Sequence, residues 1–339
     1  MHQRPTAPSR REPSAGLYPP IEPHASGHID VGGGHEIYWE ASGDPDGKPA
    51  IFLHGGPGLP VRDWARSVFD PARYRIIVMH QRNCGKSRPH ASGPTTDLTE
   101  NTTRHLLGDL ERVRGHLGIN RWMLVGASWG STLALAYAQE HPNRVSELIL
   151  FGVFTGAHAE FDRIFRGGLA HQYPEQWRRL KQAVLMDPDS DADVVDAAHE
   201  LLFDKNPAVR ARTAYEWCVW ESAIQEYPPS QAVSPLCEKT EQILAFARIV
   251  THYARHYAWI DDGMLLSGAA ALRNMPAVLI GGRHDPQTPP SNAEELAERM
   301  PRARVRIVED AGHGSGSATY LAEIVRATDG FARDDPRVG

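Results

Sequence analysis

Hydrophobic positions recur along this chain with two different rhythms, and the change between them divides it. His28-Ile29-Asp30-Val31 and His35-Glu36-Ile37-Tyr38-Trp39-Glu40 alternate in polarity around Gly32-Gly33-Gly34, which predicts an antiparallel hairpin. Short apolar runs follow at Ala50–Leu53, Tyr74–Met79, Trp122–Val125, Val145–Val153, Ala277–Ile280 and Arg304–Val308, each predicting a buried strand. Between them lie helical patterns. Over Asn101–Leu117, the residues Leu106, Leu107, Leu110, Val113 and Leu117 share one face, and Gly118 ends the helix. Ser131–Ala138 predicts a second helix, stopped by Pro142. Pro290-Ser291-Asn292-Ala293-Glu294 predicts a capping box opening a third, and Leu321–Phe331 a last one. Strands alternating with helices imply an α/β fold, a mostly parallel sheet with helices on both faces. From about Gly156 to Gly268 the strand signal stops, and stretches rich in Trp, Arg, Glu and Ala predict an inserted helical cap. The expected organisation is a disordered arm over 1–20, a core from 21–155 and 269–339, and a cap over 156–268.

One stretch gives this pattern a chemical focus. Gly126-Ala127-Ser128-Trp129-Gly130 joins a predicted strand to a predicted helix. A serine between two glycines at such a switch is the nucleophile elbow of α/β-hydrolases. The turn strains the serine backbone and presses residues two positions away against each other, so glycine at both places removes side chains that would clash. The hydroxyl then lies at a helix N-terminus, where unpaired N–H groups can stabilise a developing oxyanion. The ligand site of a parallel sheet lies at the carboxyl ends of its strands. The elbow, His54–Gly58, Asp285 and His313 all follow predicted strands, so they converge on one edge.

Serine needs a base, and the base needs an orienting acid, which in this fold follow the serine in the order acid, then histidine. His313, behind Gly312 after the final strand, is the candidate base, although the chain has 17 histidines. Asp285 is the first candidate acid. Asp310 ranks second, and Asp261 and Asp262 are further alternatives. His54-Gly55-Gly56-Pro57-Gly58 would supply one oxyanion-hole amide, for which Gly56 is favoured, beside the amide of Trp129. In the cap, Trp217-Cys218-Val219-Trp220-Glu221 places a carboxylate beside two tryptophans. It could hold a cationic amine, but the spacing alone favours an ordinary amphipathic helix with a solvated glutamate.

Composition narrows the partners. At 41% hydrophobic and a formal net charge of -6, the chain can bury a sizeable core and carries no basic stripe for nucleic acid or an anionic membrane. No apolar run is long enough to span a bilayer, and the segment Met1–Pro20 lacks the apolar core of a signal peptide. Cys84, Cys218 and Cys237 show neither metal-ligand spacing nor a disulfide framework, which favours a reducing compartment and a cytoplasmic location. Neither a metal nor an organic cofactor is expected. A homo-oligomer is compatible with the sequence.

The chain resembles the proline iminopeptidases, the prolyl aminopeptidase family of serine peptidases, from about Leu17 to Phe331. The resemblance is carried by Leu17-Tyr18-Pro19-Pro20-Ile21-Glu22-Pro23, His54–Gly58, Gln81-Arg82 with Cys84-Gly85 and Ser87, and Ala127–Gln139. It implies an enzyme that removes an N-terminal proline from a small peptide without a cofactor. By position, it implies Ser128 as nucleophile, Asp285 as acid, His313 as base and Glu221 as the cap glutamate that holds the substrate amine, with Gly55 and Trp220 beside it. The sequence departs from the family pattern at Val250, which follows Ala247-Arg248-Ile249 where a second glutamate is usual. It also departs at His80 and Asn83 around Gln81-Arg82, and at Leu59-Pro60 after the glycine loop. These changes cluster around substrate recognition. The second reading is therefore a divergent hydrolase of the same fold cleaving or transferring a non-peptide amide or ester. The third is a non-catalytic binder.

Overall fold

The computed structural model describes residues 16–225, 227, 237, 239–313 and 317–333. Its centre is a sheet of eight strands in the order β1-β2-β4-β3-β5-β6-β7-β8. β1 (Ala25–Asp30) and β2 (Glu36–Gly43) form the expected hairpin, and β2 also runs antiparallel to β4 (Tyr74–Met79). β3 (Lys48–Leu53), β4, β5 (Trp122–Ala127), β6 (Val145–Phe151), β7 (Ala277–Gly282) and β8 (Ala303–Val308) are parallel. The central runs are continuous apolar stretches because helices cover both faces, so no residue of β5 or β7 needs a solvent-facing polar side chain.

Helix α1 (Trp64–Ser67) is a short element that the hydrophobic pattern does not reveal. α2 (Thr103–His116) buries Leu106, Leu107, Leu110 and Val113, the face read from sequence. α3 (Trp129–Glu140) is buried almost all round, since it crosses the middle of the sheet. The helices α4 (His158–Phe165), α5 (Pro174–Val184), α6 (Val194–Leu202), α7 (Pro207–Ala223), α8 (Thr240–Arg255) and α9 (Met264–Gly268) all lie between β6 and β7. α10 (Pro290–Arg299) and α11 (Ala318–Arg333) return to the sheet.

Two expectations need correction here. The capping box at Pro290–Glu294 does not form: Pro289 stands at the N-cap, and the Asn292 side chain instead donates to Val153 O and to Glu160. Tertiary contacts with the end of β6 outbid a local cap. Cys218 and Cys237 are joined by a disulfide that ties α7 to the approach to α8, leaving Cys84 as a buried free thiol. Their separation of 19 residues carries no signal, because nothing in the spacing says that the two segments meet. Residues 1–15 of the expected arm lie outside the described residues. Tyr18, inside its expected range, is docked: its N–H donates to Ser67 O and its hydroxyl to Asp329. Among the described residues, no helix is long and apolar enough to cross a membrane.

Candidate active site

Sterics build the site first. A methyl group on Gly126 would stand 2.4 Å from Gly130 O, and one on Gly130 would stand 2.0 Å from Leu53 O. Only glycine at both places lets β5 turn into α3 while the turn presses against the end of β3. Ser128, at the N-cap of α3, takes φ 52° and ψ -120°, a region that side-chain-bearing residues rarely occupy. Its own N–H donates to Phe151 O, which pins the strained residue to β6. The strain holds the hydroxyl out from the sheet edge.

His313 follows β8 and Asp285 follows β7, so parallel neighbours deliver both to that edge. His313 Nε2 lies 3.0 Å from Ser128 Oγ, and His313 Nδ1 lies 2.8 Å from Asp285 Oδ2. Asp285 is buried and accepts the N–H groups of Gln287 and Thr288 on Oδ1 and the Thr288 hydroxyl on Oδ2. An acid so surrounded by donors is fixed in rotation and presents Oδ2 to the ring. Burial alone would lower the His313 pKa, but the charge and hydrogen bond of Asp285 outweigh it and raise the pKa above the usual imidazole value. With Nδ1–H directed at Asp285, Nε2 is free to accept the serine proton.

The alternative acids stand elsewhere. Asp310 is exposed and accepts a hydrogen bond from Thr319, and Asp262 accepts the N–H of His158. Gly55 lies against the elbow, where a methyl group would meet Ala127 O at 3.1 Å and Ser128 Cβ at 3.3 Å. Gly56 has φ +119°, and a methyl group there would stand 2.5 Å from Gly58 N. The Trp129 amide is the first helical N–H of α3 and has no partner within the helix by construction.

The cap closes over this edge. The Gln225 carbonyl, just past α7, accepts the N–H of His313 at 3.2 Å, and Tyr227 stacks on His284 with ring centroids 3.9 Å apart. Glu221, one turn before Gln225, is buried, and its Oε1 has no hydrogen-bond partner among the described residues. Burial pushes its carboxyl up to about 7, against the opposing influence of His313, Trp217 and Gln225. Trp220 is spent on packing: its indole N–H donates to Ile164 O and its ring meets Trp177. Val250 is buried on α8, whose preceding residue Ile249 presses on Gly58. Among the described residues there is no cluster of side chains able to hold a metal ion.

Three contributors carried no signal of their own in the sequence. Thr288 fixes Asp285, and the Tyr320 hydroxyl donates to Ile280 O while accepting Gly152 N–H beside His313. Gln225 supplies a carbonyl, which no side-chain pattern could reveal.

Comparison with known proteins agrees with this architecture. A model of the α/β hydrolase fold family matches residues 48–316. Among solved structures, an esterase from Rhodococcus sp. ECU1013 superposes with a TM-score of 0.57 at 17% identity, over 91% of this chain and 98% of that one. A proline iminopeptidase-related protein from Thermus thermophilus gives 0.52 at 22% identity, over 91% and 96%. Both likenesses speak for the fold. A protein of Streptomyces coelicolor named "Probable proline iminopeptidase" is 42% identical over 94% of this chain and 98% of its own length. The proline iminopeptidase of Arabidopsis thaliana is 39% identical over 92% and 81%. That of Neisseria meningitidis serogroup B is 37% identical over 92% and 98%. Identity at that level along nearly the whole chain goes far beyond a shared fold, and the chain belongs to the proline iminopeptidase family of α/β hydrolases.

Proposed function

We infer that this protein is a serine-type prolyl aminopeptidase: it releases an N-terminal proline from small peptides through an acyl-enzyme. Ser128 Oγ attacks the prolyl carbonyl while its proton passes to His313 Nε2. The amides of Trp129 and Gly56 receive the negative charge that develops on the carbonyl oxygen. Collapse of the tetrahedral intermediate breaks the C–N bond, and the departing amine takes the proton from His313. Water, deprotonated by His313, then hydrolyses the prolyl ester and frees Ser128. Asp285 holds the ring in the required tautomer and stabilises its charged form. Residues 156–268 act as the cap that carries the amine site.

One observation carries the specificity. Glu221 is a buried carboxylate with one oxygen that has no hydrogen-bond partner among the described residues, a turn away from the carbonyl that holds His313. A buried charge without a partner is costly. A substrate ammonium arriving beside the scissile carbonyl would supply that partner, which supports cleavage at the first residue of a peptide. The apolar Val250 supports a second reading, in which recognition of the amine is weakened and other amides or esters are accepted. Matched free and N-acetylated prolyl naphthylamides separate the two. The expected result is turnover of the free-amine substrate and little of the acetylated one. Equal rates on both would replace the peptidase with a general amidase or esterase.

A further inference from the structure

The two halves of the oxyanion site come from different parts of the chain. One is the His54–Gly58 loop after β3, and the other is the elbow after β5. Their backbones touch where Gly130 meets Leu53 and His54, since a methyl group on Gly130 would stand 2.0 Å from Leu53 O and 2.9 Å from His54 O. A single side chain from a third strand end also bridges them. Gln81, two residues past β4, donates from Nε2 to His54 O at 2.9 Å and accepts the Trp129 indole N–H on Oε1 at 2.9 Å. Its own N–H donates to His54 Nε2 at 3.1 Å. The opposite ring nitrogen, Nδ1, must then carry the proton and donate to Gly55 O at 3.0 Å.

We propose that Gln81 is a positioning residue that holds the Gly55–Gly56 loop and Trp129 in register, so that their amides converge on one oxyanion. The inference rests on the hydrolase reading of Ser128. The orientation of the Gln81 amide is fixed by its partners. An indole N–H can only donate and a backbone carbonyl can only accept, so a flipped amide would face donor to donor and acceptor to acceptor. Gln81, His54 and Trp129 are each no more than 2% exposed, so water cannot replace a lost partner. Burial lowers the His54 pKa to about 4, which keeps the ring neutral and its Nε2 an acceptor at neutral pH. The loop therefore has no titrating joint in the working range. Neither Gln81 nor His54 touches the reacting atoms. Their effect is exerted through where the two amide N–H groups point.

Oxyanion donors act only on the transition state, so loosening them lowers kcat and leaves KM largely intact. Removing one such donor elsewhere costs about 10²–10³ in kcat, and misdirecting it should cost somewhat less. Gln81→Met keeps the volume and deletes both hydrogen bonds. We expect kcat for prolyl naphthylamide to fall about 10- to 100-fold with KM changed less than about threefold. Labelling of Ser128 by a fluorophosphonate should slow in parallel.

Gln81→Glu gives a second readout. As a carboxylate it offers His54 O an acceptor and fails. As a carboxylic acid it can donate to His54 O and accept from Trp129, reproducing the native pair. The ratio of variant to wild-type kcat should therefore rise as the pH is lowered through the titration of the introduced carboxyl. Should Gln81→Met not fold, Trp129→Phe deletes one of the two hydrogen bonds, and Gln81→Glu still carries the pH readout. An unchanged kcat in folded Gln81→Met overturns the proposal. So does a KM effect without a kcat effect, or a Gln81→Glu ratio that falls as the pH is lowered. If Ser128→Ala retains turnover, the hydrolase reading itself fails, a result separate from any of these.

Discussion

The sheet edge and the cap hold their functional groups in opposite ways. At the edge, backbone geometry sets positions. Gly126 and Gly130 are the only side-chain size that fits, Ser128 is strained at φ 52°, and parallel neighbours β7 and β8 deliver Asp285 and His313 to adjacent places. In the cap, side chains set positions. Glu221 is held by burial, Trp217 stacks on Phe165, the Trp220 indole N–H donates to Ile164 O, and a disulfide joins Cys218 of α7 to Cys237. At the edge Asp285 is fully engaged, accepting from Gln287 N–H, Thr288 N–H, the Thr288 hydroxyl and His313. The cap leaves Glu221 Oε1 without a hydrogen-bond partner among the described residues. The acid–base pair of the edge is thus assembled without substrate, whereas the cap holds a buried carboxyl with an oxygen that has no partner among the described residues. Under the proposed function, chemistry belongs to the first region and choice of substrate to the second.

On that division the largest losses come from the edge. Ser128→Ala should lower kcat by about 10⁶, as removal of a nucleophile does in serine proteases. Steady-state turnover and loss of fluorophosphonate labelling measure it, and labelling at another residue would break the comparison at its root. Asp285→Asn should lower kcat by about 10⁴, while Asp310→Asn changes it less than about twofold, because Asp310 faces Thr319 and not the imidazole. A crippled Asp310→Asn would move the acid to the other loop.

A cap substitution should act on binding. Glu221→Gln should raise KM for free-amine prolyl substrates by about 10- to 150-fold, the worth of a charge-assisted hydrogen bond, and leave N-acetylated or simple ester substrates nearly unaffected. The same change should stabilise the unliganded protein. Burial raises the Glu221 pKa from 4.5 to about 7, so the folded state retains a proton that the unfolded chain releases. The stability associated with this group is full below the unfolded value and is lost as pH rises through about 7. Glu221→Gln escapes that loss. Its melting temperature should exceed that of the wild type at pH 8, with the gap closing towards pH 5. A variant less stable than the wild type at pH 8 would mean that the carboxylate has a partner after all.

A small effect on turnover is also expected from Cys218→Ser. It opens the covalent tie between α7 and the approach to α8, at a cost of about 3 kcal/mol of stability for a loop of this size. With Gln225 O still on His313 and the edge intact, kcat should fall less than about threefold. Thermal melts beside kinetics, with and without reductant, distinguish the two. A larger kcat loss would show that the cap also aligns the base.

What the sequence alone determined was whatever depends on local sterics and period. The alternation around Gly32–Gly34 placed the hairpin, the apolar runs placed β3 to β8, and the glycines around Ser128 marked the elbow. The order of Asp285 and His313 after it was legible because parallel strands deliver their successors to one edge. The sequence ranked Asp285 ahead of Asp310, Asp261 and Asp262, but the contact of its carboxylate with the imidazole depends on the path of two loops and is seen only in the tertiary structure. It held no sign that Asn292 would leave its own helix end for Val153 O, or that Gln81 would bridge two loops it does not adjoin. Nor did it pair Cys218 with Cys237, since three cysteines without regular spacing fit a reducing compartment equally well. Each of these depends on distances between segments remote in sequence. Local preference is encoded residue by residue, but a buried polar group takes whichever partner the packed chain brings within reach, and that choice exists only once the tertiary structure has formed.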